Sequence, residues 1–138
     1  MQLQSGQNTL LSTLSITLNL RYPVCPGFKG EPDTCLFLLN AQGKVTGDAD
    51  FIFYNNLSSP EGAVKLVTGS HQSSIDIALD RVPANVRKIA ITVVIDGEET
   101  ISGLSLLSIQ APGIAEFQVE TQKRSEKAII LGEVYRHN

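Results

Sequence analysis

The chain has 138 residues, of which 42% are hydrophobic and 18% charged, and its formal net charge is −3. This composition is typical of one globular domain with a single core and excludes a disordered chain. The chain has no cluster of Lys and Arg of the kind that binds nucleic acid. Its longest apolar run, IAITVVI (89–95), is too short to span a bilayer.

Short apolar segments separated by turn residues predict β-strands along the whole chain. Residues 14–20 alternate between apolar and polar, whereas residues 35–39 and 89–95 are apolar on both faces, as expected of core strands. The segment 22–33 contains three prolines and two glycines, which predicts a loop. The remaining strands are predicted at 51–54, 64–67, 75–79, 105–110, 115–121 and 128–135.

About nine or ten strands with little helix predict an all-β sandwich of two mostly antiparallel sheets. Periodicity alone does not distinguish this fold from a closed barrel. No repeat or linker divides the chain, so a single domain over residues 1–138 is predicted. In strand 51–54, Phe51 and Phe53 are expected to face the core, with Ile52 and Tyr54 on the opposite face.

No arrangement of residues predicts catalysis. The chain lacks a G-x-S-x-G nucleophile motif, a phosphate-binding glycine loop, zinc-ligand spacing and a dinucleotide fingerprint. His71 lies among serines in GSHQSS and is expected in a solvated loop, while the penultimate residue, His137, is expected to be exposed. We therefore predict a protein without enzymatic activity.

In the stretch GDADFIFYNN (47–56), acids precede and amides follow the apolar residues 51–54. A further acid lies before the preceding strand. The side-chain oxygens of these residues are the kind of ligand that calcium prefers, and the candidate ligands are Asp33, Asp48, Asp50, Asn55 and Asn56. The spacing excludes an EF-hand, because apolar residues occupy its ligand positions. A site built from loops at one end of a sandwich is one interpretation, and ordinary turn chemistry at both ends of the stretch is the other.

The two cysteines, Cys25 and Cys35, flank the predicted loop. The N-terminal residues have no secretion signal, so reduced thiols in the cytoplasm are expected. Packing as small hydrophobic side chains is the simpler interpretation, and a thiol pair that captures an oxidant or a soft metal is the alternative.

Five stretches of the chain together resemble a known family. They are GKVTGDADFIFYNNLSSPEGAV (43–64), LDRVPANVRKIAITVVID (79–96), EKAIILGEVYRHN (126–138), SGQNTLL (5–11) and DTCLFLLNAQGKV (33–45). They are similar to the tellurium-resistance TerD domain of bacterial stress proteins, and the QLQSGQN opening is similar to its TerA-like subgroup. The resemblance implies a cytoplasmic, calcium-binding β-sandwich without enzymatic activity. It also implies other tellurium-resistance proteins as partners, in complexes at the inner face of the membrane.

Three departures from the family's pattern affect the expected calcium ligands. Tyr22-Pro23 stands where the family has Trp-Asp, Glu31-Pro32-Asp33 stands where it has Asp-x-Asp, and TGSHQSS (68–74) replaces a longer acidic loop. Calcium affinity falls with the charge of the ligand set. Calcium binding is therefore expected to be weak or absent at the metal residues Asp33, Asp48, Asp50, Asn55 and Asn56.

The resemblance also implies an open sheet edge, because the family's last strand follows the closing motif and is not found in these 138 residues. An unpaired edge is expected to be covered by a partner, by self-association or by a further segment. Three hypotheses follow: an interaction module with calcium binding weakened or lost, which we favour; a functional calcium-binding protein; and a thiol response to tellurite or oxidant through Cys25 and Cys35.

Overall fold

A computed structural model describes residues 1–136 of the chain, and His137 lies outside the described residues. Within that range nine strands form two antiparallel sheets, which confirms the predicted sandwich. The strands are β1 (Ser15–Arg21), β2 (Glu31–Leu39), β3 (Phe51–Ile52), β4 (Val64–Gly69), β5 (Gln72–Ala78), β6 (Lys88–Asp96), β7 (Ser108–Ala111), β8 (Ala115–Gln118) and β9 (Ala128–Tyr135). Three 3-10 helices lie at Asp48–Asp50, Leu79–Arg81 and Ile101–Gly103.

The two sheets have unequal numbers of strands. One has the order β4-β5-β1-β7-β8 and the other β3-β2-β6-β9. The hydroxyls of Thr34 in β2 and Ser73 in β5 lie 2.7 Å apart, so β2 faces β5. A Cβ placed on Gly132 of β9 would lie 3.5 Å from Cδ1 of Ile109, so β9 faces β7. The five-stranded sheet therefore extends one strand, β8, beyond β9.

The core lies between the sheets and follows the alternation predicted from the sequence. In β1 the apolar residues Ile16, Leu18 and Leu20 are buried, while the residues between them are exposed or half-buried. The most apolar predicted strand, β6, lies in the centre of its sheet between β2 and β9, as expected. Its residues from Ile89 to Val93 are all buried. No helix in residues 1–136 has the length and apolar content needed to cross a membrane.

The predicted orientation of strand 51–54 is wrong. Ile52 is fully buried and pairs with the core residue Leu36, whereas Tyr54 is 60% exposed. Phe51 pairs with Phe37 on the outer face of the sheet, where their ring centroids lie 4.9 Å apart. Stacking of aromatic rings on one another compensates partly for their exposure to water. The strand ends at Ile52, and the chain then turns back.

Two predicted loops are shorter than expected. β2 begins at Glu31, so residues 31–33 belong to a strand and not to the preceding loop. Residues 68–74 form a tight hairpin turn in which only Ser70 and His71 lie outside β4 and β5. His71, the second residue of this turn, has a φ of 56°, which lies in the left-handed region that non-glycine residues seldom adopt.

Candidate functional site

Four of the five predicted calcium ligands lie in one corner of the fold, between residues 47 and 56. Asp48 and Asp50 belong to a 3-10 helix immediately before β3. Asn55 and Asn56 lie in the turn after β3, which is closed by the hydrogen bond from the Asn56 N–H to the Phe53 carbonyl at 2.9 Å. Asp48 and Asn55 are exposed to solvent.

Two of the predicted ligands, Asn56 and Asp50, already form side-chain hydrogen bonds within this corner. The Asn56 amide donates to the Phe51 carbonyl at 2.8 Å and to the Ala49 carbonyl at 3.4 Å. The Thr46 hydroxyl donates to the Asp50 carboxylate at 2.5 Å. The two Asn56 bonds join the turn after β3 to the 3-10 helix and to β3, which is the turn chemistry of the alternative interpretation of this stretch.

The fifth predicted ligand, Asp33, lies elsewhere. The register pairs Phe51 with Phe37, which places Asp50 beside Leu38 of β2. Asp33 is five residues away along that strand, a distance of roughly 17 Å at the usual rise per residue. The structure therefore does not bring Asp33 together with Asp48 and Asp50.

Asp33 instead belongs to an acidic cluster at the far end of β2 and β6. Glu31 is paired directly with Asp96 of β6, and Asp33 lies two residues along β2 on the same face. Burial, together with the charges of Glu31 and Asp96, raises the pKa of Asp33 above its usual value. Asp96 was not among the predicted residues, because only the register of β2 against β6 reveals that it is close.

The donors present do not fit a strong calcium site. Among residues 1–136, no group of three or more His, Cys, Asp or Glu side chains is arranged to hold a metal ion. The corner at 47–56 offers two carboxylates, Asp48 and Asp50, of which the second already accepts a hydroxyl hydrogen bond. Calcium requires six to eight oxygen ligands, and its affinity depends on their charge.

Asp33 is expected to make the stability of the domain depend on pH. Because its folded pKa is raised, the folded state binds more protons than the unfolded state just above pH 3.8, the ordinary value. The free energy of unfolding contributed by this group therefore falls as the pH rises through the folded pKa. Replacing Asp33 with Asn should stabilise the domain at neutral pH, and the gain should vanish below the ordinary pKa.

Urea unfolding of the wild type and of Asp33→Asn between pH 3.5 and 7 measures this effect. An exposed carboxylate outside the cluster, replaced in Asp48→Asn, serves as the control for loss of charge. A difference between the wild type and Asp33→Asn that stays constant over the whole range would contradict the prediction.

The two cysteines are free thiols in different surroundings. Cys35 lies in β2 opposite Thr92, whose hydroxyl donates to the Cys35 carbonyl at 2.8 Å. Burial and the nearby Asp33 carboxylate raise the pKa of the Cys35 thiol. Since the thiolate is the reactive form, this environment disfavours reaction at Cys35 at neutral pH. Cys25 lies in the loop after β1, where its N–H donates to the Gly103 carbonyl.

The serines near His71 have structural partners. The Ser73 hydroxyl lies 2.7 Å from that of Thr34 in the core, and the Ser74 hydroxyl donates to the Asn19 side chain at 3.2 Å. The carbonyl of His71 accepts the N–H of Tyr22. This arrangement organises the turn between β4 and β5 and the end of β1.

A large cleft opens on the side of the sandwich where the sheets are unequal. Its volume is about 1300 Å³, and it is lined by β9, by the overhanging strand β8 and by the N-terminal residues 3–11. Apolar residues of both sheets line it, among them Ile114, Phe117, Ile129 and Val134. All four are half-buried at the margin of the core. The cleft therefore lies on the β8–β9 side of the sandwich, at the margin of the core.

Comparison with known proteins identifies the family. The family model described as the TerD domain matches residues 1–138. This chain belongs to the TerD family. The tellurium resistance protein TerD of Alcaligenes sp is 37% identical over 124 residues, covering 77% of this chain and 64% of the relative. This TerD-family chain thus spans less than two thirds of the length of that relative.

Two further relatives extend the comparison. The tellurium resistance protein TerA of Alcaligenes sp is 37% identical over 91 residues, which cover 63% of this chain and 27% of TerA. The crystal structure of a homologue of telluride resistance protein (TerD) from Streptomyces coelicolor A3(2) superposes with a TM-score of 0.66 at 14% identity. It covers 89% of this chain and 81% of that one. At that identity the likeness establishes the TerD-type fold alone.

Proposed function

We propose that this TerD-family chain is a non-enzymatic domain of tellurium resistance and stress response that works by binding a protein partner. The observation that carries the proposal is the cleft of about 1300 Å³ on the β8–β9 side of the sandwich, with apolar residues of both sheets in its lining. Large exposed apolar surfaces are places at which proteins bind one another. The names of the relatives support tellurium resistance as the process.

Calcium binding is proposed to be weakened or lost. Support comes from the separation of Asp33 from Asp48 and Asp50, and from the use of Asn56 and Asp50 in hydrogen bonds within their own corner. The domain is proposed to act in the cytoplasm with other tellurium-resistance proteins, at the inner face of the membrane.

A second candidate function is calcium binding at the 47–56 corner. It is favoured by the position of Asp48, Asp50, Asn55 and Asn56 on either side of the two-residue strand β3. Backbone carbonyls and water would have to complete the shell, since two carboxylates supply little charge.

Survival of the native host in tellurite tests the proposed role. Phe117 points into the cleft from β8, while its neighbour Gln118 is exposed on the opposite face. Phe117→Lys should reduce survival to that of a strain lacking the protein, because a charge in the cleft opposes apolar contact. Gln118→Lys, which adds the same charge outside the cleft, should leave survival unchanged.

Asp50→Ala in the same assay separates the two candidate functions. Partner binding at the cleft predicts that survival is unaffected, whereas a calcium-dependent function predicts loss. Each variant is compared only after its melting temperature has been shown to match that of the wild type. Full survival of a folded Phe117→Lys variant would contradict the proposed role of the cleft.

A further inference from the structure

The two sheets differ in the chemistry of the faces that point away from the core. The outer face of the five-stranded sheet is polar, and its side chains form hydrogen bonds between β1 and β5, from Thr17 to Asp76 and from Ser74 to Asn19. The outer face of the four-stranded sheet is apolar along its middle, apart from Thr92. The strand register places there the side chains of Cys35, Phe37, Phe51, Ala90, Val94 and Ile130. An antiparallel sheet with one face in water normally alternates between apolar and polar residues, so this sheet has the composition of one that is covered on both faces.

Part of this apolar outer face is in contact with water. Ile130 is 58% exposed, and Phe37, Phe51 and Phe53 are half-buried. The rings of the three phenylalanines stack on one another, with centroid distances of 4.9 and 4.6 Å. Stacking shields the faces of the rings and leaves their edges towards the solvent. A partner that covers this face would therefore remove apolar surface from water, which favours association.

The charged side chains of this face lie at its two ends. The acidic cluster of Glu31, Asp33 and Asp96 lies at the end where β2 begins and β6 ends. At the opposite end three basic side chains line a small pocket, and one of them is offset by an ion pair between Lys88 and Glu133 at 3.4 Å. The basic residues are Arg87, Lys88 and Arg136. The face is thus acidic at one end, apolar in the middle and basic at the other end.

A second copy of this chain has the complementary distribution of charge when its sheet is turned end for end. Two sheets that pack face to face keep their strands roughly aligned and lie about 10 Å apart. A two-fold axis that runs across the strands, between the two sheets, places the acidic end of each copy over the basic end of the other. An axis along the strands would place acid over acid. Opposite charges favour the first arrangement and fix its orientation.

The register places Cys35 at the centre of this arrangement. Cys35 is the middle residue of β2, and it is paired with Thr92, the middle residue of β6. When Asp96 of one copy lies over Lys88 of the other, the two-fold axis passes between the Cys35–Thr92 pairs of the two copies. The Cys35 thiols of the two copies then lie within roughly 10 Å of each other, the usual spacing of packed sheets.

The size of the face indicates how strong such an interface is. Strands about 4.8 Å apart that rise about 3.3 Å per residue give the four-stranded sheet a footprint of roughly 500 Å² on each copy. A face-to-face pair would bury on the order of 1,000 Å² in total, which is close to the lower limit for a specific interface. A reversible dimer that forms at high concentration is therefore expected.

We propose that the outer face of the four-stranded sheet is the interface of a reversible homodimer, in which two copies of this chain stack face to face with their strands antiparallel. This interface is separate from the cleft on the β8–β9 side, so the inference does not depend on the function proposed above.

Sedimentation equilibrium from micromolar to millimolar protein tests whether the dimer forms. The mass of the wild type should rise from that of one chain towards that of two. Ile130→Lys should weaken association at least tenfold, because it places a charge in the apolar face. Val67→Lys is the matched control, since Val67 is β-branched, 61% exposed and on the outer face of the other sheet, and it should leave association unchanged. A wild type that stays monomeric at millimolar concentration would overturn the proposal and leave this face to a different partner.

Reversal of charge at the two ends tests the orientation of the copies. Asp96→Lys and Lys88→Glu each place like charges over one another, so each variant alone should associate at least fivefold more weakly than the wild type. In an equimolar mixture, a mixed dimer has opposite charges at both ends and should form as well as the wild-type dimer. This recovery also shows that both variants are folded. A mixture that associates no better than the separate variants would overturn the antiparallel arrangement.

Cross-linking through Cys35 tests which face forms the interface. In a Cys25→Ser background, a short bismaleimide should join two copies, at a mildly alkaline pH because the pKa of the Cys35 thiol is raised. Ile130→Lys should abolish this cross-link and Val67→Lys should keep it. Labelling of the Ile130→Lys variant with a single maleimide shows that the thiol can be reached. A dimer that is not cross-linked through Cys35 would overturn this face as the interface.

Discussion

Replacing Leu36 with alanine is expected to lower the free energy of unfolding by about 2–5 kcal/mol, the usual cost of removing a large aliphatic side chain from a packed core. Leu36 has no exposed surface and lies in the middle of β2. It is paired with Ile52 on one side and Ile91 on the other, both of which are also buried. Neighbours held in both adjacent strands cannot collapse into the space left by the missing carbon atoms.

Urea unfolding monitored by circular dichroism measures this loss. Leu10→Ala removes the same atoms from a side chain that is 81% exposed, and its effect should remain within about 0.5 kcal/mol. A cost below about 1 kcal/mol for Leu36→Ala would mean that the two sheets do not pack as described.

Thr34→Val is expected to cost about 1–3 kcal/mol, although it leaves the volume of the side chain almost unchanged. The Thr34 hydroxyl donates to the Tyr22 hydroxyl at 3.1 Å and lies 2.7 Å from the Ser73 hydroxyl. All three residues are buried, and they join β2 to the opposite sheet. Valine would leave the Ser73 and Tyr22 hydroxyls without this partner in the core, and an unsatisfied buried group loses its hydration without compensation.

The double variant Thr34→Val with Ser73→Ala provides the matched control. The double variant removes the Ser73 hydroxyl as well, so that this group is no longer buried without a hydrogen-bond partner. The double variant should therefore be more stable in urea than Thr34→Val alone. Additive losses in the double variant would contradict the importance of this buried pair.

The longer apolar strands were predictable from the sequence. β9 begins and ends where the pattern places it, and β6 occupies the central position that its apolar residues indicate. β3 was not predictable in this way, because it contains two residues. With so short a strand, the register with Leu36 and Phe37 decides which side chains face the core.

The positions of the candidate sites could not be predicted from local sequence patterns, because they depend on which strands pair with each other. The residues at 47–56 are close in sequence, and the structure places them close in space as well. Asp33 and Asp96 are separated by the length of the chain between β2 and β6 and are brought together only by the pairing of those strands. The cleft depends on one sheet having a strand more than the other, which is a property of the whole topology.

The domain is proposed to work through its cleft without a tightly bound calcium ion. A thermal melt of the wild type in chelator, repeated in millimolar calcium and in magnesium, tests this directly, because a ligand that binds only the folded state raises its stability. The melting temperature should be the same in all three. A calcium-specific rise of several degrees that disappears in Asp50→Ala would contradict the proposal and restore the 47–56 corner as a calcium site.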